Sequence, residues 1–208
     1  MLSLMNFELY FAFVAATVVL MAIPGPNVAL IAATSLSQGV RHGLATVAGT
    51  TFAMALQLAV VGAGLNGFLL ILSDWFHVLR WCGALYLVLL GLSMWRSKVS
   101  NQKKISIAQP NYRIVFLRGF IVSLTNPKTL LFYGAFFPQF IVPTSDVARQ
   151  ISFYAITFIG LAVIIDTIWA LAAAQLGNSK FIPNHRNNRL SGGLLIGAGI
   201  GLALTRKT

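Results

Sequence analysis

The 208-residue sequence predicts an all-α polytopic membrane protein with six transmembrane helices, set as two inverted three-helix repeats in which helices 1 and 4 are broken. Three observations lead there. Apolar residues make up 57% of the chain and charged ones 9%, whereas an ordinary soluble domain is roughly a quarter charged. The apolar residues lie in long blocks, enough for about six spans of ~20 residues. Two of those blocks carry a proline-centred interruption at matching places, Pro24-Gly25-Pro26-Asn27 and Asn126-Pro127-Lys128. A mean hydropathy of +0.80 argues against a soluble enzyme, a disordered segment and a nucleic-acid module together.

The first block, 7–36, stays in the membrane by this reading. Met1 to Leu9 holds Glu8 and no Lys or Arg, and no small-x-small cleavage site ends the run before Ile23. Blocks 43–66 and 75–95 complete the first half, about 1–95, with Trp75, Trp81 and Trp95 towards the ends of the third, where indole rings prefer the interface. The stretch 96–113 is polar and basic (Arg96, Lys98, Lys103, Lys104, Arg113) and reads as a cytoplasmic linker. Blocks 114–141, 150–176 and 189–205 form the second half, about 114–208, within one transmembrane domain covering 1–208.

The +11 net charge would suit a polyanion in a soluble chain, but here the basic residues sit in short gaps and read as topology signals, so no nucleic-acid partner is expected. Arg41, the basic residues of the linker, Lys180, Arg186 and Arg189 fall on one side, against Arg149, Arg206 and Lys207 on the other. The richer side is cytoplasmic by the positive-inside rule, which puts the N terminus outside. Arg206-Lys207 argues against the same side for the C terminus, which six spans would otherwise require. The lone Cys82 offers no internal disulfide, redox pair or thiolate cluster, and no Walker-type phosphate loop occurs. Any uphill work draws on an ion gradient or another subunit, and no cofactor is expected.

Proline removes a backbone donor and clashes with the preceding turn, and glycine permits unusual dihedrals, so each interruption frees carbonyls and amides. In hydrocarbon such groups need protein or water. A single proline is ordinarily only a kink. Aligning Pro26 with Pro127, however, brings Leu30 onto Leu131, and the third block of each half carries glycines eight apart, Gly83/Gly91 and Gly193/Gly201. Three spans per half invert the second copy, and in that plan matched broken helices mark a binding site at the midplane.

These residues resemble the LysE/RhtB family of amino-acid exporters. The features that carry the resemblance are Pro24-Gly25-Pro26-Asn27, Ser37-Gln38-Gly39-Val40-Arg41-His42-Gly43 with Gly49, Gly83-Ala84-Leu85-Tyr86-Leu87 through Gly91, and Asn126-Pro127-Lys128 followed by Phe136-Phe137-Pro138-Gln139-Phe140. Asp166 within Val163-Ile164-Ile165-Asp166 is similar to the acidic residue of the homoserine/threonine branch. The resemblance implies a bacterial inner-membrane exporter of small amino acids or derivatives, driven by protons, and leaves room for a homodimer. It does not fix the substrate.

Asp166 stands amid apolar residues in the fifth block, where an ionised carboxylate is expensive unless paired or wet. It is expected to carry the coupling proton or bind the substrate ammonium, with a structural cap or interhelical pair as the plain alternative. Lys128 is expected to neutralise Asp166, receive the substrate carboxylate, or satisfy carbonyls freed at a break. The half-helices after Pro26 and Pro127 present amides and a positive dipole end suited to a carboxylate. Asn27 and Asn126 stand beside them as ligands or as plain helix caps, and Gln57 is either a wall residue or, more in keeping with membrane helices, an interhelical tie.

The expected substrate-binding set is therefore Pro24, Gly25, Pro26, Asn27, Gln57, Asn126, Pro127 and Lys128, with Asp166 coupling protons. Arg80 is expected to snorkel outward. His42, His77 and His185 are too scattered for a metal site or relay and are expected at the interface. Gly193, Gly197 and Gly201 make a smooth stripe for close packing within the chain or between copies. Phe132, Tyr133, Phe136 and Phe137 are expected to pack against lipid or neighbouring spans, with gating as the minority reading. Three rivals remain: a carrier of inorganic or divalent ions, which would want more than one mid-depth carboxylate; an intramembrane enzyme, for which no nucleophile and base are assembled; and a subunit that transports nothing.

Overall fold

The computed structural model describes residues 7–63, 78, 81–82, 84–93, 95–96, 111–142, 146–177 and 184–204; the side chains of 135, 136, 184–188 and 202 are outside the description. Every regular element among them is helical: α1 (Phe7–Ala22), α2 (Pro26–Gln38), α3 (Val40–Gly62), α4 (Ala84–Ser93), α5 (Tyr112–Leu124), α6 (Pro127–Leu131), α7 (Val147–Gly177) and α8 (Asn184–Leu204). Beyond α6 the chain widens into a π-helical turn, Phe132–Phe136, and tightens into a 3-10 turn, Phe137–Phe140. Two helices, α3 and α7, are each long and apolar enough to cross a membrane. The pairs α1 with α2, and α5 with Pro127–Phe140, are apolar enough together but bent by 51° and 43°. These bends fall on the two proline interruptions. The linker 97–110, Trp75, His77, Arg80, Gly83, Lys180, Arg206 and Lys207 lie outside the described residues.

Local chemistry explains the boundaries. Pro26 and Pro127 each occupy the first turn of a half-helix, where a missing N–H costs nothing and φ is already helical. Asn126 caps α6 by accepting from the Lys128 amide at 3.0 Å, and Asn111 caps α5 by accepting from the Arg113 amide at 3.0 Å. Between α2 and α3 stands a single residue, Gly39, at φ 86°. That backbone is strained for any L side chain, and it lets α3 begin at Val40, ahead of the expected start at 43.

The helices pair closely where glycine removes bulk. Alongside α3, α5 runs in the same direction: His42 stacks on Tyr112 at 4.6 Å near one end, and Gln57 reaches Ser123 and Leu124 near the other. A Cβ on Gly49 would collide with the Phe116 carbonyl, and one on Gly119 with the Thr46 carbonyl. His42 is therefore buried rather than interfacial, since its ring fills the α3–α5 seam. Beside the first bent pair, α7 also runs in the same direction, with Phe13 against Tyr154 at 4.6 Å and the Leu36 carbonyl against Gly177.

Helix α8 runs antiparallel to α2 and α4. Ser191 Oγ donates to the Ala33 carbonyl at 2.9 Å, Gly192 meets Gly91, and Gly199 meets Ala84. The close-packing face of α8 is thus Gly192 and Gly199. A Cβ added at Gly197 or Gly201 would meet nothing within 4 Å, so the expected stripe of Gly193, Gly197 and Gly201 is not the tight seam. It points about a third of a turn away, which a residue offset of one produces on a helix.

The core divides at the breaks. On one side Phe13, Phe132, Tyr133, Phe137, Phe140, Tyr154 and Phe158 pack into one buried aromatic cluster. Packing against neighbouring helices is therefore the place of Phe132, Tyr133 and Phe137. On the other side the contacts are aliphatic, among Leu30, Ala33, Leu87 and Leu195.

Candidate functional site

Each break frees carbonyls that the sequence identifies. Pro24 has no N–H for the Leu20 carbonyl four residues back, and the bend carries the Asn27 amide away from the Ile23 carbonyl. The Lys128 ammonium supplies both, donating to Leu20 O at 2.9 Å and to Ile23 O at 2.8 Å. A cation at the C-terminal end of α1 also opposes the helix dipole. At the second break Pro127 has no N–H for the Ser123 carbonyl, which the Asn126 amide serves instead at 3.2 Å, and the Lys128 amide is spent on Asn126 rather than on Leu124 O. Gln57 Nε2 fills that gap, donating to Ser123 O at 3.3 Å and Leu124 O at 3.2 Å. Each break is thus completed by a side chain from a different span. Of the alternatives for Lys128 and Gln57, the freed-carbonyl donor and the interhelical tie are the ones built.

Lys128 and Asp166 form no ion pair among the described residues; the ammonium acts on the carboxyl through space while its hydrogen bonds go to the first break. Asp166 is 1% exposed, in the middle part of α7, with Thr50 of α3 near enough to act on its carboxyl. Thr50 Oγ1 also donates to Val47 O at 2.9 Å. Ser123 Oγ donates to the Thr50 carbonyl at 3.1 Å and accepts from Asn27 Nδ2 at 3.2 Å. A buried polar cluster therefore joins four spans: Asn27, Thr50 with Gln57, Ser123 with Asn126, and Asp166. Within it Asn27 Oδ1, Gln57 Oε1, Asn126 Nδ2 and Asp166 Oδ2 have no protein partner, an unusual concentration given that buried polar groups are nearly always paired.

Beside this cluster lies a hollow of about 1110 Å3 between α2, the second half of α7 and α8. Pro24, Gly25, Pro26, Pro127 and Lys128 form its polar end, while Trp95, Trp169 and aliphatic side chains line the rest. The expected site residues thus separate into two groups. Those five face the hollow; Asn27, Gln57, Asn126 and Asp166 are buried behind them. The stripe of Gly193, Gly197 and Gly201 lines the same hollow. The aromatic cluster closes the molecule on the far side of the breaks.

Two members of the cluster, Thr50 and Ser123, escaped the sequence reading. Thr46, Thr50 and Gln57 stand four and seven apart, which puts them on one face of α3. That polar stripe on an apolar span was the available signal for Thr50. Ser123 had only its place three residues before Asn126.

Apolar helices, some crossing-length and some broken, folded around a polar centre and a hollow define a polytopic membrane protein built to pass a solute. Residues 18–206 match the model of the LysE type translocator family. The chain belongs to that family, and is a transporter rather than an enzyme. It is 30% identical over 204 residues to an uncharacterized membrane protein of Vibrio cholerae, covering 97% of this chain and 100% of that protein. It is also 32% identical over 173 residues to the homoserine/homoserine lactone efflux proteins of Salmonella typhi and Salmonella typhimurium, covering 83% of this chain and 84% of each. No solved structure matches it.

Proposed function

We propose that the chain exports a small amino acid or amino-acid derivative across the bacterial inner membrane, by alternating access driven by the proton motive force. One observation carries the reading: the two breaks meet at one hollow, with Lys128 of the second holding the carbonyls of the first and Asp166 buried alongside. The names of the Salmonella relatives make homoserine and its lactone the first substrates to try.

Support for the inverted plan comes from the helix pairings. The first span lies along the fifth and the second along the fourth, both pairs in the same direction, and exchanging the halves turns one pair into the other. With the N terminus outside, the hollow opens towards the cytoplasm and the aromatic cluster closes the outer side, an inward-facing arrangement. Cargo enters between α2, α7 and α8, and its carboxylate meets Lys128 and the break amides. Its ammonium meets the unpartnered oxygens of Asn27, Gln57 and Asp166. Protons entering at Asp166 then drive release outside. A potential of 100 mV supplies ~2.3 kcal/mol per charge, which sustains a gradient of about fiftyfold for one proton per neutral solute.

The test is homoserine uptake by everted membrane vesicles under an imposed pH gradient. Wild-type uptake should collapse with an uncoupler, and Asp166→Asn should lose gradient-driven uptake while remaining inserted. Undiminished uptake in that variant would remove Asp166 from the mechanism. Flux of an inorganic cation with no amino-acid movement would favour the ion-carrier reading.

A further inference from the structure

We infer that the hollow is a side-chain subsite for an apolar cargo: an amino acid whose side chain is a hydrocarbon of three or more carbons, taken in preference to a short hydroxylated one such as homoserine. The inference rests on the proposed export of amino acids and narrows its cargo.

The chemistry of the lining decides the class. Among the described residues, Lys128 is the one charged side chain that borders the hollow; no acid, hydroxyl or side-chain amide does so. Asn27, Gln57, Asn126 and Asp166 are buried behind the polar end and form no part of the wall. Two of the three ammonium hydrogens of Lys128 are taken by Leu20 O and Ile23 O, which leaves one for an anionic end. Beyond that end the lining is hydrocarbon and indole. From Pro26 the wall continues along α2 through Val28, Ala29 and Ala32 to Leu36, about 15 Å of helix. A four-carbon amino acid with its carboxylate at Lys128 ends well short of that length, and a side-chain hydroxyl finds no partner along the wall. Such a hydroxyl loses affinity, whereas each methylene gains it.

The α8 side supplies the room. Gly197 and Gly201 line the hollow, and a Cβ added at either would meet nothing within 4 Å. Trp169 of α7 and Trp95 just beyond α4 add broad apolar faces, surfaces on which an alkyl chain is readily buried. At about 1110 Å3 the hollow exceeds the ~300–1,000 Å3 usual for small-molecule sites, so a cargo the size of homoserine leaves most of it unfilled.

The test uses the full chain in proteoliposomes. Exchange of radiolabelled norvaline is competed by 2-aminobutyrate, norvaline, norleucine and homoserine, in the wild type and in the variants Gly197→Val and Gly201→Val. We expect potency to rise about fourfold with each methylene of the straight-chain series, the effect of burying one such group. Homoserine should compete about tenfold less well than norvaline, which carries a methyl where homoserine carries the hydroxyl. Each valine narrows the subsite, so both variants should flatten the series to less than about twofold per methylene while keeping a detergent melting temperature near wild type. Equal potency along the series, the outcome expected if water or a lipid tail fills the hollow, would overturn the inference. So would a slope that persists in both variants, the mark of simple partition into the bilayer, and so would a lowered melting temperature in both, the mark of a packed face. Exchange of homoserine without exchange of norvaline would overturn the inference and leave amino-acid export standing, whereas a wild type that exchanges no amino acid would overturn both.

Discussion

Replacing Lys128 with alanine tests whether the two breaks are held together as described. The variant strands two carbonyls, Leu20 O and Ile23 O, that now share one ammonium at 2.9 and 2.8 Å. A hydrogen bond to a charged group contributes ~1.5–3 kcal/mol when buried, and the bond to Ile23 is more open to the hollow, so the expected loss is about 2–4 kcal/mol in all. Lys128→Arg, which retains a cation and several donors, should recover part of that loss. The measurement is reversible unfolding in mixed detergent micelles, with midpoints and slopes compared so that a change in compactness is not read as a change in stability. A loss below about 0.5 kcal/mol, the scale of an exposed pair, would mean that solvent already serves those carbonyls and that Lys128 does not join the breaks. Homoserine transport should fall in the alanine variant, because the same ammonium borders the hollow.

Other expectations follow from single contacts. Gln57→Leu leaves Ser123 O and Leu124 O without their side-chain donor and should cost about 1–3 kcal/mol in the same unfolding assay. Gly49→Ala drives a methyl into the Phe116 carbonyl and should destabilise by about 1–3 kcal/mol as α3 and α5 are forced apart, visible as a lowered detergent melting temperature. Gly192→Leu and Gly197→Leu should separate cleanly. The first meets the Gly91 backbone and should disrupt folding, while the second enters open space and should leave the melting temperature near wild type but reduce homoserine flux by filling the hollow.

The proline interruptions were legible in the sequence because their chemistry is local: a missing donor and a fixed φ act wherever the residue stands. The bends of 51° and 43° fall where Pro24 to Asn27 and Asn126 to Lys128 predict them. The family was legible for a similar reason, since short ordered motifs survive without knowledge of packing. The partner of Lys128 was only half legible: freed carbonyls were among its expected roles and Pro24 names those it frees, but charge favours Asp166, and nothing along the chain says that the ammonium of the second break reaches two backbone oxygens more than 100 positions away. His42 was misjudged because the second span was expected to start at 43, which left it in a loop. Within the chain, the close contacts of α8 begin one residue before the stripe. Gly192 and Gly199 are the tight contacts, and the regular four-residue spacing of Gly193, Gly197 and Gly201 drew attention to the looser face.

Gly39 leaves α2 and α3 almost no slack, because one residue extends the chain by only about 3.8 Å. The end of α2 and the start of α3 are therefore tied about one residue apart, so that the arm carrying Asn27 at the first break is joined through Gly39 alone to the arm carrying Thr50 and Gln57 beside the second.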